Sequence, residues 1–360
     1  MLSKKLGFLF IMAMSIIACD SGQQAGKNMQ ESTHAAIDLE EFIYSEAEAP
    51  TPECHASTIV ALEDRLVAAW FGGTKEKNKN VVIWFSMKQG QDWSPPVEVA
   101  NGVQDDGTRH PTWNPVLFQP RQGPLMLFYK VGPDPRSWWG MVIESTDGGE
   151  SWSEPRRLPD GILGPIKNKP IQLANGDIVS PTSTEHDGWE VQIERSTDGG
   201  DTWTSTGSLN DGDKIGAIQP AILNHGNGTL QLLCRTENEV ISECWSQDYG
   251  KTWSEMTATD LPNPNSGIDA LTLDDGRHVL IYNPTNENWG DRVPLSVAIS
   301  ADGKSWERLF DLEPVTNPET TDEEEYSYPG VVQAPNGLVH IVYTYNRKTV
   351  KHVVLDPQKL

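Results

Sequence analysis

Ser145-Thr-Asp147-Gly-Gly149-Glu-Ser-Trp152 returns almost unchanged as Ser196-Thr-Asp198-Gly-Gly200-Asp-Thr-Trp203 and as Ser246-Gln-Asp248-Tyr-Gly250-Lys-Thr-Trp253. Two weaker copies flank them. Ser300-Ala-Asp302-Gly-Lys-Ser-Trp306 is one residue short, and Ser86-Met-Lys-Gln-Gly90-Gln-Asp-Trp93 has lost the first Asp. Each copy reads as a hairpin turn: Asp caps backbone N–H groups, Gly takes the positive-φ position, and Trp covers the space toward a neighbouring sheet. Successive tryptophans lie 59, 51, 50 and 53 residues apart, a period that suits a four-stranded unit.

A second repeat supplies an independent count. An apolar strand, a short turn usually with Gly, and another apolar strand recur over 57–69, 115–129, 170–183, 220–234, 269–282 and 330–345. Six such hairpins against five Trp tracts predict an all-β chain, a six-bladed β-propeller with Asp-box hairpins. The sixth blade lacks its tract because the chain ends there. Its last strand, over 349–356, is predicted to share a blade with an early strand near 41–44. A β-sandwich or two small β domains would also use short strands, but neither explains the fifty-residue period.

The N-terminus reads as a targeting segment. Lys4 and Lys5 precede an apolar run over 6–17 that is too short to span a membrane, and Ile16-Ile17-Ala18-Cys19 resembles a bacterial lipobox. The expected organisation is a signal peptide over 1–18, a lipidated Cys19 with a polar tether over 19–37, and the propeller over 38–360. An ordinary secretory signal is the alternative; either one exports the chain. The expectation is therefore a monomeric lipoprotein, anchored to a membrane at the periplasm or cell surface. Cys234 and Cys244 fall on adjacent strands and Cys54 stands apart, so buried free thiols are expected. No metal-ligand spacing, phosphate loop or cofactor fingerprint occurs, and no cofactor is expected.

With 28 Lys and Arg against 51 Asp and Glu, the formal net charge is −23, which argues against nucleic-acid binding. An acidic ligand still fits if the cations converge. Aligning the six hairpins on their turns and reading nine residues upstream collects His55, Asn114, Lys167, Gln219, Gly267 and Tyr328. Close neighbours are His110, Trp113, Lys169, Asn265, Asp269 and Tyr326. A second ring, from the partner strands, holds Trp70 to Gly73, Tyr129, Lys130, Glu185, Arg235 to Glu237, Asn283 and Tyr345 to Arg347. These positions should surround one mouth of the propeller. Trp113, Trp138, Trp139 and Trp289 lie outside the Trp tracts in segments that read as loops. Indole faces stack on sugar rings, so these residues point to a carbohydrate, and the Lys and Arg set points to an acidic one.

The Trp tracts are Asp-boxes, and their recurrence resembles the sialidase-type propellers over nearly the whole chain. That resemblance makes Tyr326-Ser-Tyr328-Pro look like the segment bearing the nucleophilic Tyr. It also places Arg235 and Arg347 like two members of a carboxylate-binding arginine triad. The sequence departs from the pattern at two places. His55 stands where the first arginine of an Arg-x-Pro motif would be, and the stretch over 75–81 contains no acid/base Asp, Glu76 being its only carboxylate.

A β-elimination at a uronate, by a lyase or dehydratase, uses the residues that are present. Arg235 with Lys167 or Lys169 would neutralise the carboxylate, His55 or His110 would take the C5 proton, and Tyr328 would assist the departing oxygen or exchange roles with the His. Asn114, Trp113, Gln219, Asp269, Tyr326, Arg347, Trp138 and Trp139 would bind the rest of an acidic oligo- or polysaccharide. The alternatives are an exo-acting glycoside hydrolase of sialidase type and a non-catalytic glycan-binding lipoprotein.

Overall fold

The structure is a computed structural model that describes residues 34–316 and 324–360. The expected signal peptide, Cys19 and most of the tether lie outside the described residues. Six antiparallel sheets of four or five strands form the six expected blades among the described residues. Their first hairpins pair Glu53–Ala61 with Leu66–Gly73, Thr112–Phe118 with Leu125–Val131, Ile171–Gln172 with Ile178–Thr184, Ala217–Gly226 with Thr229–Thr236, Asp269–Thr272 with His278–Tyr282, and Tyr326–Gln333 with Val339–Tyr345. We number these blades 1 to 6. First strands of blades 4, 5, 6, 1 and 2 touch in succession around the axis.

The ring closes within blade 6. Ile37–Phe42 pairs antiparallel with Thr349–Leu355, so the two ends of the described chain share one sheet. The early strand thus starts four residues before the position expected from sequence. Behind the seam, Glu41 accepts from Trp93 Nε1 at 3.0 Å and stands 2.8 Å from His352 Nδ1.

The Asp-boxes work as turn locks and as wedges between blades. In the blade 2 copy, Gly149 N donates to Ser145 Oγ at 2.8 Å, and Ser151 N donates to Asp147 Oδ1 at 2.9 Å. The same pair of bonds recurs at Ser196 with Asp198 and at Ser246 with Asp248. Each Trp then packs on the preceding blade. Trp152 meets Phe85 edge-on at 5.3 Å, Trp203 meets Phe128 at 6.0 Å, and Trp253 and Trp306 join the clusters of blades 3 and 4. Trp93, whose tract lacks the Asp, sits against Val342 and Val350 across the closing seam.

Cys54, Cys234 and Cys244 are buried free thiols. Cys234 faces Ser242 in the ladder while Cys244 faces Leu232, which sets the two cysteines on different rungs.

Gly149 tests the wedge. Its φ is +99° and a Cβ there would lie 2.4 Å from Phe85 Cζ. Gly149→Ala should destabilise the protein by about 2–4 kcal/mol, through left-handed strain plus a clash with the next blade. Gly176, also left-handed at φ +98° but with nothing within 4 Å of a Cβ, isolates the strain; Gly176→Ala should cost only about 1 kcal/mol. Urea midpoints of the two variants measure the difference, and equal losses would remove the packing argument.

Candidate functional site

Each blade leaves the regular conformation once at its inner edge, within the inner strand in blades 1, 2, 4 and 6 and ahead of it in blades 3 and 5. Ala56, Asn114, Lys167, Gln219, Asn265 and Tyr328, one in each blade, are non-glycine residues at φ +54°, +40°, +69°, +55°, +59° and +52°. In blades 1, 2, 4 and 6 the ladder shifts register there, between His55 and Thr58, Trp113 and Val116, Ile218 and Ala221, and Ser327 and Gly330. These are β-bulges, and a bulge re-aims a side chain out of the pleat. Proline follows directly at Pro115, Pro220 and Pro329, at places where the ladder has no need of an N–H. A left-handed non-glycine residue costs about 1–3 kcal/mol and marks a segment held for a purpose.

The re-aimed side chains surround a cavity of about 420 Å³, with His55, Asn114, Gln219 and Tyr328 all in its lining. One wall is a run of aromatic rings. Tyr328 lies 4.1 Å from His55, His55 is 5.7 Å from Phe71, Phe71 is 6.2 Å from Trp113, and Trp113 is 6.0 Å from Trp138, centroid to centroid. The opposite wall is Arg235, with its guanidinium over Trp189, Trp289 and the Tyr328 ring at 5.1, 5.6 and 5.7 Å. Five cationic side chains line the cavity against two carboxylates. In a chain of charge −23 the mouth is therefore a local inversion of sign.

Tyr328 Oη receives two donors. Arg235 Nη1 lies 2.5 Å away and Gln219 Nε2 3.5 Å away, while Arg235 Nε donates to Asn265 Oδ1 at 2.7 Å. With both neighbours donating, the phenol hydrogen is left to point into the cavity. Arg292 lies over the other part of the ring, 5.5 Å from its centroid. Gly267 supplies the room beneath: a Cβ there would stand 3.2 Å from Tyr328 Cγ.

His55 is buried at 3% exposure, which pushes its pKa well below the ordinary 6.5, and Arg347 pushes it in the same direction. Its Nδ1 is 3.2 Å from Thr344 Oγ1 and 3.9 Å from Glu325 Oε1. Two oxygens on that side favour the tautomer with hydrogen on Nδ1, leaving the Nε2 lone pair unprotonated. Glu325 is the hub of this region: it pairs with Arg292 at 2.9 Å and Arg347 at 2.7 Å and accepts from Ser327 Oγ at 2.6 Å. Burial works to raise its pKa, but His55, Arg292 and Arg347 outweigh that and hold it far below the usual carboxylate range. Arg347 continues the chain to Glu76 at 2.7 Å. Glu185, half-buried on the cavity wall, has its pKa raised by burial.

Other residues expected at the mouth lie elsewhere. Lys167 is buried with its Nζ on Asn168 Oδ1, Ile268 O and Pro329 O, so it ties blades 3, 5 and 6 together beneath the cavity. Lys169 pairs with Asp269 at 2.9 Å, and Asp269 also accepts from Val331 N at 2.8 Å. These three form the floor and do not line the cavity. His110 packs edge-on against Trp139 at 5.6 Å and does not line the cavity. Tyr326 turns into the hydrophobic cluster of blades 5 and 6. Trp113 and Trp139 sit in strands, contrary to the loop reading. Trp289 is 63% exposed at the rim. Arg292, Trp189 and Glu325 belong to the site without having been singled out from sequence. Trp189 and Arg292 lie in irregular segments between second and third strands, and Glu325 stands just before the first strand of blade 6, places that carry no repeat signal. Among the described residues, no group of three or more His, Cys, Asp or Glu side chains is placed to hold a metal ion.

The BNR repeat-like domain family matches residues 64–341. Among solved structures, a protein of unknown function from Dyadobacter fermentans is similar at 18% identity and TM-score 0.72, covering 89% of this chain and 98% of that one. The NanB sialidase of Streptococcus pneumoniae is similar at 14% identity and TM-score 0.67, over 90% of this chain and 71% of that one. The leech intramolecular trans-sialidase is similar at 14% identity and TM-score 0.69, over 89% and 71%. At these identities the likeness is one of fold. No curated protein matches the sequence.

The Glu325 hub sets an acid limit. Because its folded pKa is depressed, its stabilising effect is complete above the unfolded value of about 4.3 and is lost as pH falls toward the folded one. Glu325→Gln should cost about 3 kcal/mol at pH 7 by leaving Arg292 unpaired and Arg347 with Glu76 alone. The gap to wild type should narrow below about pH 4. Urea unfolding across pH measures this, and a gap that stays constant with pH would refute the assignment.

Proposed function

We propose that this chain, which belongs to the BNR repeat-like domain family, is a carbohydrate-active enzyme that eliminates across C4–C5 of a uronate in an acidic oligo- or polysaccharide. The observation that carries this reading is the Tyr328–His55 pair: rings tilted against each other at 4.1 Å, one with its phenol oxygen already accepting from Arg235 and so free to donate into the cavity, the other with an unprotonated ring nitrogen, set between Arg235 and Arg292. Elimination needs those four parts. The guanidinium groups neutralise the substrate carboxylate and so make the C5 proton acidic. His55 Nε2 takes that proton, its electron pair forms the C4–C5 double bond, and the C4–O bond breaks. Tyr328 then gives its proton to the departing oxygen. If that oxygen belongs to the next sugar the chain is cut; if it is a hydroxyl, water leaves. Positive charge at the mouth draws an anionic sugar toward an otherwise acidic surface, and the aromatic wall offers faces for its rings.

Glu185 supports a second reading. A half-buried carboxyl with a raised pKa beside Arg235 fits proton transfer in hydrolysis of the sialidase type, with Tyr328 as nucleophile. Against it, Glu76 is the carboxylate found where the resemblance calls for an acid/base Asp, and it is committed to Arg347.

Ultraviolet absorbance of the conjugated double bond separates the two readings when purified protein is given uronate oligosaccharides. A rising signal is the expected result. His55→Ala and Tyr328→Phe should each lower kcat by about 10²–10⁴-fold with KM little changed. New reducing ends without absorbance, lost in Glu185→Gln, would replace elimination by hydrolysis.

A further inference from the structure

About half of the Lys and Arg side chains among the described residues pair with a carboxylate. Lys88 with Glu41, Arg195 with Asp177, Arg277 with Asp275 and Lys351 with Glu313 are representative. The remainder, exposed Lys251, Lys304 and Lys348 among them, have no carboxylate within ion-pair distance among the described residues. Three of these unpaired cations meet at the cavity mouth. Lys75 and Lys77 line it, and Arg136 adjoins the lining residue Pro135. Among the described residues, none of the three has a carboxylate within ion-pair distance.

The segment that presents the two lysines is well fixed for a loop. Between Leu66–Gly73 and Val82–Gln89 the chain makes consecutive turns, with Asn78 N donating to Lys75 O and Val81 N to Asn78 O, both at 3.0 Å. Asn80 Nδ2 closes the loop onto Thr74 Oγ1 at 2.5 Å, and Arg109 Nε donates to Lys79 O at 2.8 Å. Glu76 points the other way, to Arg347, and so anchors the loop to the Glu325 hub. Lys77 is held at φ +74°. A solvated lysine loop needs neither the clamp nor the strain. Lys77 and Arg136 also both act electrostatically on Glu185, which brings the cations of blades 1 and 2 to bear on the same side of the cavity.

We propose that Lys75, Lys77 and Arg136 form a second anion-binding subsite at the rim, separate from the Arg235–Arg292 grip. This proposal rests on the acidic-sugar reading above and narrows it. The substrate is an oligosaccharide with at least two anionic groups, one carboxylate held inside and a sulfate ester or second carboxylate held at the rim. Rim cations of this kind set selectivity and salt dependence and leave the reacting atoms alone.

The test uses matched uronate oligosaccharides with no second anion, with an added sulfate, or with a second carboxylate, against wild type and a K75Q/K77Q variant. Both lysines are exposed, so the variant should fold. The expected result is a KM raised about fivefold to tenfold for the doubly charged sugars only, at unchanged kcat, with a shallower salt dependence. Whichever of the two doubly charged sugars shows the effect identifies the rim anion. Equal loss on all three sugars, or no loss on any, overturns the proposal. If no sugar is turned over, calorimetric binding of the same set decides the rim independently: a doubly charged preference lost in the variant upholds it, and its absence in wild type ends it.

Discussion

One left-handed residue on or just ahead of each inner strand is the constraint from which the cavity follows. A regular ladder would send alternate side chains into the spaces between blades, where apolar packing claims them. The bulge interrupts the alternation at the position nearest the axis. His55, Asn114, Gln219 and Tyr328 escape the inter-blade layers by this device. Such strain persists only where the surroundings over-determine it. Here the surroundings are the floor of Lys167, Asn168, Lys169 and Asp269, which binds blades 3 to 6 below the bulges.

Electrostatics above that floor are organised around Glu325. It faces His55, Arg292 and Arg347 at once, and Arg347 reaches Glu76 in blade 1. One carboxylate thus fixes the positions of two guanidiniums and orients an imidazole. Its charge is spent on them, while Arg235, held by Asn265, Gln219 and Tyr328, faces the cavity with no carboxylate in ion-pair distance. The sign inversion at the mouth depends on this arrangement more than on any surplus of basic residues in the sequence.

The fold was legible because its signals are periodic. Trp tracts and hairpins recur at the same spacing, and turn chemistry at Asp147, Asp198 and Asp248 repeats bond for bond. The site was legible where it reuses that period: His55, Asn114, Gln219 and Tyr328 come from aligned positions, and Glu185, Arg235 and Arg347 from the partner strands. It failed where alternation was the only guide. Tyr326 and Tyr328 are two residues apart and share a face in a regular strand, but the bulge after Ser327 sends one into the core and the other to the mouth. Lys167 and Lys169 have the right chemistry for a ligand, yet carbonyl groups and Asp269 meet them first. Arg292, Glu325 and Trp189 lie in irregular segments, where no spacing argument reaches. The X-Pro pairs at Asn114, Gln219 and Tyr328 were a usable signal, since proline inside an apolar strand implies a bulge.

The closing seam in blade 6 has a consequence for how the molecule is made. Ile37 is opposite Leu355, so the ring is joined by partners more than three hundred residues apart in the chain. Such a contact is the slowest kind to form. Blades 1 to 5 can assemble by local hairpins as they are synthesised, but the sixth cannot be completed until the final strand has appeared. Until then the Ile37–Phe42 strand has no partner, and the indole of Trp93 lacks the blade that covers it. A nascent chain therefore carries an open edge until the strand Thr349–Leu355 has been made.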